Sequence, residues 1–84
     1  MPVLSRFYGI IIRMYFQQSE HNPPHIHAIY GEHVAAIDFQ TNEVLEGELP
    51  PKALAMVLEW IEINIKELKQ IWDTQDFKAL APLE

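Results

Sequence analysis

The sequence predicts an α+β fold: a four-stranded antiparallel sheet with one long C-terminal helix packed on one face, in the order β-β-β-β-α. Three observations lead there. The first half of the 84-residue chain breaks into short runs of β-branched and aromatic residues punctuated by Gly, Pro and Asn. The second half holds a breaker-free stretch, Pro51 to Trp72, with apolar residues at helical spacing. The sequence contains no repeat, low-complexity tract or linker, so residues 1–84 read as one domain.

"RFYGIIIRMYF", residues 6–16, reads as the first strand. One face carries Tyr8, Ile10, Ile12, Met14 and Phe16, the other Phe7, Gly9, Ile11, Arg13 and Tyr15. The first is apolar apart from one hydroxyl and is expected to face the core. A polar loop, "QQSEHNPP", follows; Asn22 and Pro23 favour a turn there, and neither proline can donate to a ladder. "HIHAIY" (25–30) and "HVAAIDF" (33–39) flank Gly31-Glu32, a pair suited to a two-residue type II′ hairpin. "EVLEGEL" (43–49) is the fourth strand, with Asn42 in the left-handed position of a three-residue hairpin loop.

The helix is expected over 51–72, with Pro51 in its first turn. At about 100° per residue, Leu54, Val57, Leu58, Ile61, Ile65, Leu68 and Trp72 form one stripe. Lys52, Glu59, Glu62, Lys66, Lys69 and Asp73 oppose it. Met56, Trp60 and Ile63 lie beyond the stripe. A broadly buried helix accounts for them; the sharper alternative is a binding role for Trp60 as a dimer contact. The tail, 73–84, is expected to be extended, with Phe77, Leu80 and Leu83 anchoring it onto the body or onto a partner.

The two hairpins set registers. A two-residue Gly31-Glu32 turn pairs Tyr30 with His33, His27 with Ala36 and His25 with Asp38. A three-residue loop then pairs Ile37 with Leu45 and Ala36 with Glu46. One sheet face becomes apolar, with Ile26, Ala28, Tyr30, Ala35, Ile37, Phe39 and Leu45, and takes the helix. The opposite face carries His25, His27, Asp38, Glu46 and Glu48 among Ile29, Val34, Ala36 and Val44. His33 falls on the apolar side near the hairpin end.

Charge bounds the chemistry. The net charge is −6, and residues 18–50 hold six acids, no lysine or arginine, and all four histidines. Phosphate recognition wants clustered Lys and Arg, so a nucleic-acid partner is disfavoured. The chain has no cysteine, hence no disulfide and no thiolate metal site. It shows no signal-peptide pattern and no apolar run approaching a membrane span, which predicts a cytoplasmic protein.

Three readings of the histidines remain open. His25 and His27, two residues apart on a strand, point the same way; with Asp38 or Glu46 they form a first shell suited to zinc or iron. His21 reaches the same place from the loop. The plainer reading is a cross-strand His25–Asp38 polar pair. A metal-free alternative makes His25 and His27 catalytic acid and base, as in RNA cleavage, with Arg13 holding a phosphate. Arg13 is accounted for more simply as neutralising the acids of the fourth strand.

"SRFYGIIIRMY", "EHNPPHIHAIYGEH", "AAIDF…NEVLEGELP" and "LAPLE" resemble small bacterial proteins of the domain-of-unknown-function family 4160, nearly end to end. "HNPPHIHA" and "EGELP" are the most specific pieces, and the signature falls on Asn22, Pro23, Pro24, His25 and His27. The resemblance implies no settled activity. It does imply a small protein partner, in an arrangement reminiscent of toxin–antitoxin modules. The leading expectation is therefore a protein-interaction module, paired with such a partner or with itself as a homodimer. The alternative is a small hydrolase or ribonuclease-type toxin using His25 and His27, with or without a divalent metal.

Overall fold

The structure, a computed structural model, describes residues 3–14 and 23–83. It is α+β, with strands β1 (Val3–Phe7), β2 (Ile10–Arg13), β3 (His25–Tyr30), β4 (His33–Asp38) and β5 (Val44–Gly47). Helices α1 (Pro51–Ile63) and α2 (Ile65–Thr74) follow. The strands form one antiparallel sheet in chain order, β1-β2-β3-β4-β5. In its elements the structure differs from expectation in two respects: the sheet has five strands rather than four, and the helix is divided in two.

The fifth strand comes from the expected 6–16 run, which is a hairpin. Tyr8 (φ 50°) and Gly9 (φ 81°) are both left-handed and close Phe7 against Ile10. Two consecutive positive φ values are the mark of a type I′ turn. Apolar residues continue straight through this turn, so the period of two cannot reveal it. Reversal puts Phe7 and Ile10 on the same face, and both are buried. Tyr8, expected in the core, sits at the tip and is 60% exposed. Ile10, Ile12 and Met14 face the core as expected. Tyr15 and Phe16 lie outside the described residues.

The β3–β4 register runs from Tyr30↔His33 to His25↔Asp38, as the hairpin reading requires. Gly31 takes φ 60° while Glu32 stays out of the left-handed region, in keeping with type II′. Asn42 is left-handed (φ 64°), also as expected. Between β4 and β5, Ala36 pairs with Glu46, but Ile37 pairs with Val44 because a bulge shifts the register. Leu45, expected to pack under the helix, is therefore 43% exposed. Tyr30 and His33, both expected on the apolar side, are exposed at the hairpin end, where the sheet runs out beyond the helices' cover.

Gly47 follows this bulge. Its φ is +77°, and a Cβ there would lie 2.0 Å from the Val34 carbonyl oxygen. The glycine of "EGELP" thus permits a backbone approach that no side chain tolerates.

The helices interrupt at Asn64 (φ −108°, ψ 17°). Its amide shares the carbonyls of Trp60 and Ile61 at 3.1 and 3.2 Å, and its Nδ2 donates to Trp60 O at 3.0 Å. A short amide side chain competing for the backbone, between two β-branched isoleucines, accounts for the break. Ile63 is consequently turned outward and 65% exposed. Ala53, Val57, Trp60, Ile61, Leu68, Ile71 and Trp72 make the buried side. Leu54, Leu58 and Ile65 of the expected stripe are only partly buried, so the burial axis is rotated toward Trp60.

Trp60 is fully buried, with its ring centroid 5.9 Å from that of Phe7 and its Nε1 donating to Ala81 O at 2.9 Å. The expected alternative, a dimer contact through Trp60, is corrected here: this chain's own tail covers the indole. Leu83 is buried and Leu80 N–H donates to Leu4 O at 2.6 Å, so the tail anchors onto the body along β1.

The glycines give a direct test. Gly47→Ala should destabilise the fold by more than about 2 kcal/mol, combining steric overlap with a left-handed alanine. Gly31→Ala, which meets nothing within 4 Å, should lose only about 1–2 kcal/mol. Urea unfolding of the two variants checks the difference; equal losses would contradict the close approach.

Candidate functional site

The two helices cover one sheet face. On the other, cross-strand pairing builds two rows. The first runs Arg13, His27, Ala36, Glu46 across β2 to β5, and the second Arg6, Ile11, Ile29, Val34 across β1 to β4. Opposed residues on neighbouring strands point the same way, so each row is a line of adjacent side chains. Ile11 and Ile29 are half-buried and Val34 is 48% exposed.

His25 opens β3 opposite Asp38, as expected, yet the two side chains have separate tasks. The Asp38 carboxylate accepts the backbone N–H of Gln40 (2.8 Å) and of Thr41 (3.2 Å), shaping the turn into β5. His25 Nδ1 donates to Pro23 O at 2.8 Å. Its ring lies 5.5 Å from that of Trp72 and 5.1 Å, edge-on, from that of His27. His25 therefore ties the proline turn to α2 at the end of the sheet.

His27 has a perturbed proton affinity. Burial lowers its pKa below 6.5, the neighbouring His25 lowers it further, and Glu46 partly offsets both. At neutral pH it is an uncharged imidazole on the open face. Ala36 intervenes between His27 and Glu46, and Gly47 is the next residue along β5. These small residues leave a hollow of about 330 Å³ lined by His27, Val34, Ala36, Glu46 and Gly47. Reasoning from sequence named the histidine and the acid but missed the hollow. The signal available was Ala35-Ala36 set in register against Gly47.

The expected metal set is only partly assembled. His25 and His27 meet, but among the described residues no three His, Cys, Asp or Glu side chains are grouped to hold an ion. Asp38 is turned to its loop, and Glu46 stands two strands from His27, about 10 Å between backbones. His21 and Asn22 lie outside the described residues. Arg13 is half-buried opposite His27, with its Nε buried and without a hydrogen-bond partner among the described residues. The acids of "EVLEGEL" lie on and beside β5, three strands away and about 14 Å between backbones, so any neutralisation is long-range. Among the described residues no helix is long and apolar enough to cross a membrane.

Proton NMR titration should place His27 below 6.5. His25→Ala should raise that midpoint and Glu46→Gln should lower it, since one substitution removes a like charge and the other an attractive one. The folded chain binds this proton less readily than the unfolded chain. His27 therefore contributes stability above about pH 6.5 that is lost as pH falls through the folded midpoint. Urea unfolding of wild type and His27→Gln between pH 7.5 and 5 should converge toward acid; a constant gap would contradict it.

No curated protein and no solved structure matches the chain. The model of the family described as Domain of unknown function (DUF4160) matches residues 9–73, most of the chain, and the protein belongs to that family.

Proposed function

We propose that this chain is a small cytoplasmic protein-interaction module, one component of a toxin–antitoxin-like pair, that docks its partner on the uncovered face and edge of its sheet. The observation that carries this reading is the one-sided sheet. Among the described residues no helix covers its other face, which sets Ile11, Ile29 and Val34 side by side next to a polar row, and Val34, Val44 and Leu45 are 48, 40 and 43% exposed. Apolar side chains grouped and rimmed by charge mark interaction surfaces. The resemblance in sequence, which implies a small protein partner, supports the same reading.

The test uses the full chain with the product of the neighbouring gene. Co-purification or self-association should be seen, and Val34→Glu should disrupt it while changing folding stability by less than about 0.5 kcal/mol, as expected for an exposed site. A chain that stays monomeric at millimolar concentration and ignores its neighbour's product sinks the reading.

The lowered pKa of His27 favours a second reading. An uncharged imidazole beside an open hollow is a competent general base, and a ribonuclease-type toxin would use it with His25 as its neighbour. His27→Ala should then abolish RNA cleavage or growth inhibition without loss of cooperative unfolding. Wild type inert toward both RNA and growth counts against it.

A further inference from the structure

Resting on the interaction reading, we propose that the β5 edge accepts an extended, lysine- or arginine-bearing segment of the partner as a sixth strand, with one cation seated against Glu46 at the rim of the hollow.

The two sheet edges differ. The outer side of β1 is met by this chain's own tail, through Leu80 N–H to Leu4 O. At the other edge all four residues of β5 are exposed, including the apolar Val44 and Leu45. An edge strand presents backbone N–H and C=O groups that another chain can pair with, and proteins usually protect such edges. The protection here is charge of one sign. Glu43, Glu46 and Glu48 are exposed along and beside β5, while residues 18–50 contain no lysine or arginine.

That charge decides the occupant. A second copy pairing β5 against β5 would bring glutamates toward glutamates, which is destabilising. A basic strand gains from the same residues. Strand addition takes affinity from main-chain bonds and specificity from pockets that receive alternate side chains. The 330 Å³ hollow is such a pocket: Ala36 and Gly47 keep its floor low, Val34 supplies an apolar wall, and Glu46 is its one carboxylate. A long basic side chain lays its aliphatic stem on apolar surface and carries its charge to the rim. His27, uncharged at neutral pH, does not compete with that cation.

The probe is a capped hexapeptide alternating lysine and valine, titrated into the full-length chain by NMR and calorimetry, with a glutamate–valine peptide as control. The lysine peptide should shift the amides of Val44–Gly47, slow their hydrogen exchange, and bind more weakly as salt rises. Glu46→Lys, at an exposed site, should weaken binding roughly tenfold or more, in the range expected for charge reversal against a close ion pair. The triple variant Glu43→Lys, Glu46→Lys, Glu48→Lys should abolish it. Absence of binding at millimolar peptide overturns the proposal. So does equal binding of the glutamate peptide, perturbation away from β5, or indifference to Glu46→Lys. A complex with the neighbouring gene's product that survives Glu46→Lys overturns the β5 site and leaves the interaction reading standing. Absence of any complex removes the interaction reading itself, and the peptide result still decides the edge.

Discussion

The pairing of β3 with β4, pinned by the Gly31-Glu32 turn, is the constraint from which the rest of this structure follows. Side chains alternate across a sheet with a period of two, so a slip of one residue would exchange the faces. With Tyr30 opposite His33, Ile26, Ala28, Ala35 and Ile37 are all buried beneath the helices. The same register puts His27 beside Ala36 on the open face and carries His25 to the end of the strand, where it meets Trp72. Burial of one face and the placing of His27 on the other are thus one decision. The apolar area removed from water on the covered face, at about 25 cal/mol per Å², holds the open face in place.

The bulge in β4–β5 gives the open face its character. It releases Leu45 from the core and leads into Gly47, whose backbone closes on Val34 where no Cβ fits. One irregularity therefore accounts for an exposed apolar residue at the edge, a glycine in the "EGELP" motif, and the low floor of the hollow. The other edge is handled differently, by the tail that runs over β1 and caps the Trp60 indole. One edge is occupied by the chain itself; the other remains exposed and is ringed by acids.

The three described histidines stand in different surroundings. His25 is held between Pro23 O and Trp72 and fastens the proline turn to α2. His33 is exposed at a hairpin end. Of the described histidines, His27 joins the row with Arg13 and Glu46, and burial together with its neighbour His25 keeps its imidazole uncharged at neutral pH. Asp38 looked like a ligand or a charge partner from its register, and it is instead the acceptor that shapes its own turn. Asp38 is followed by Phe39 and then Gln40-Thr41-Asn42, a turn-forming context, so this role was readable in the sequence.

By itself the sequence determined the α+β class, the β3–β4 register, the left-handed Asn42, the helical second half and the acidic character of the middle segment. Each rests on local chemistry: turn residues, alternation, helical periodicity and charge counts. The Tyr8-Gly9 reversal escaped because apolar residues run unbroken through it and tyrosine is not a usual left-handed residue. The helix break at Asn64 escaped because one amide side chain outweighed an intact apolar period. Only the tertiary structure decided that the tail covers Trp60, that Leu45 is released, and that Ala36, Gly47, Val34 and Glu46 enclose a hollow beside His27. Those outcomes depend on which distant segments pack together, and no local pattern records that.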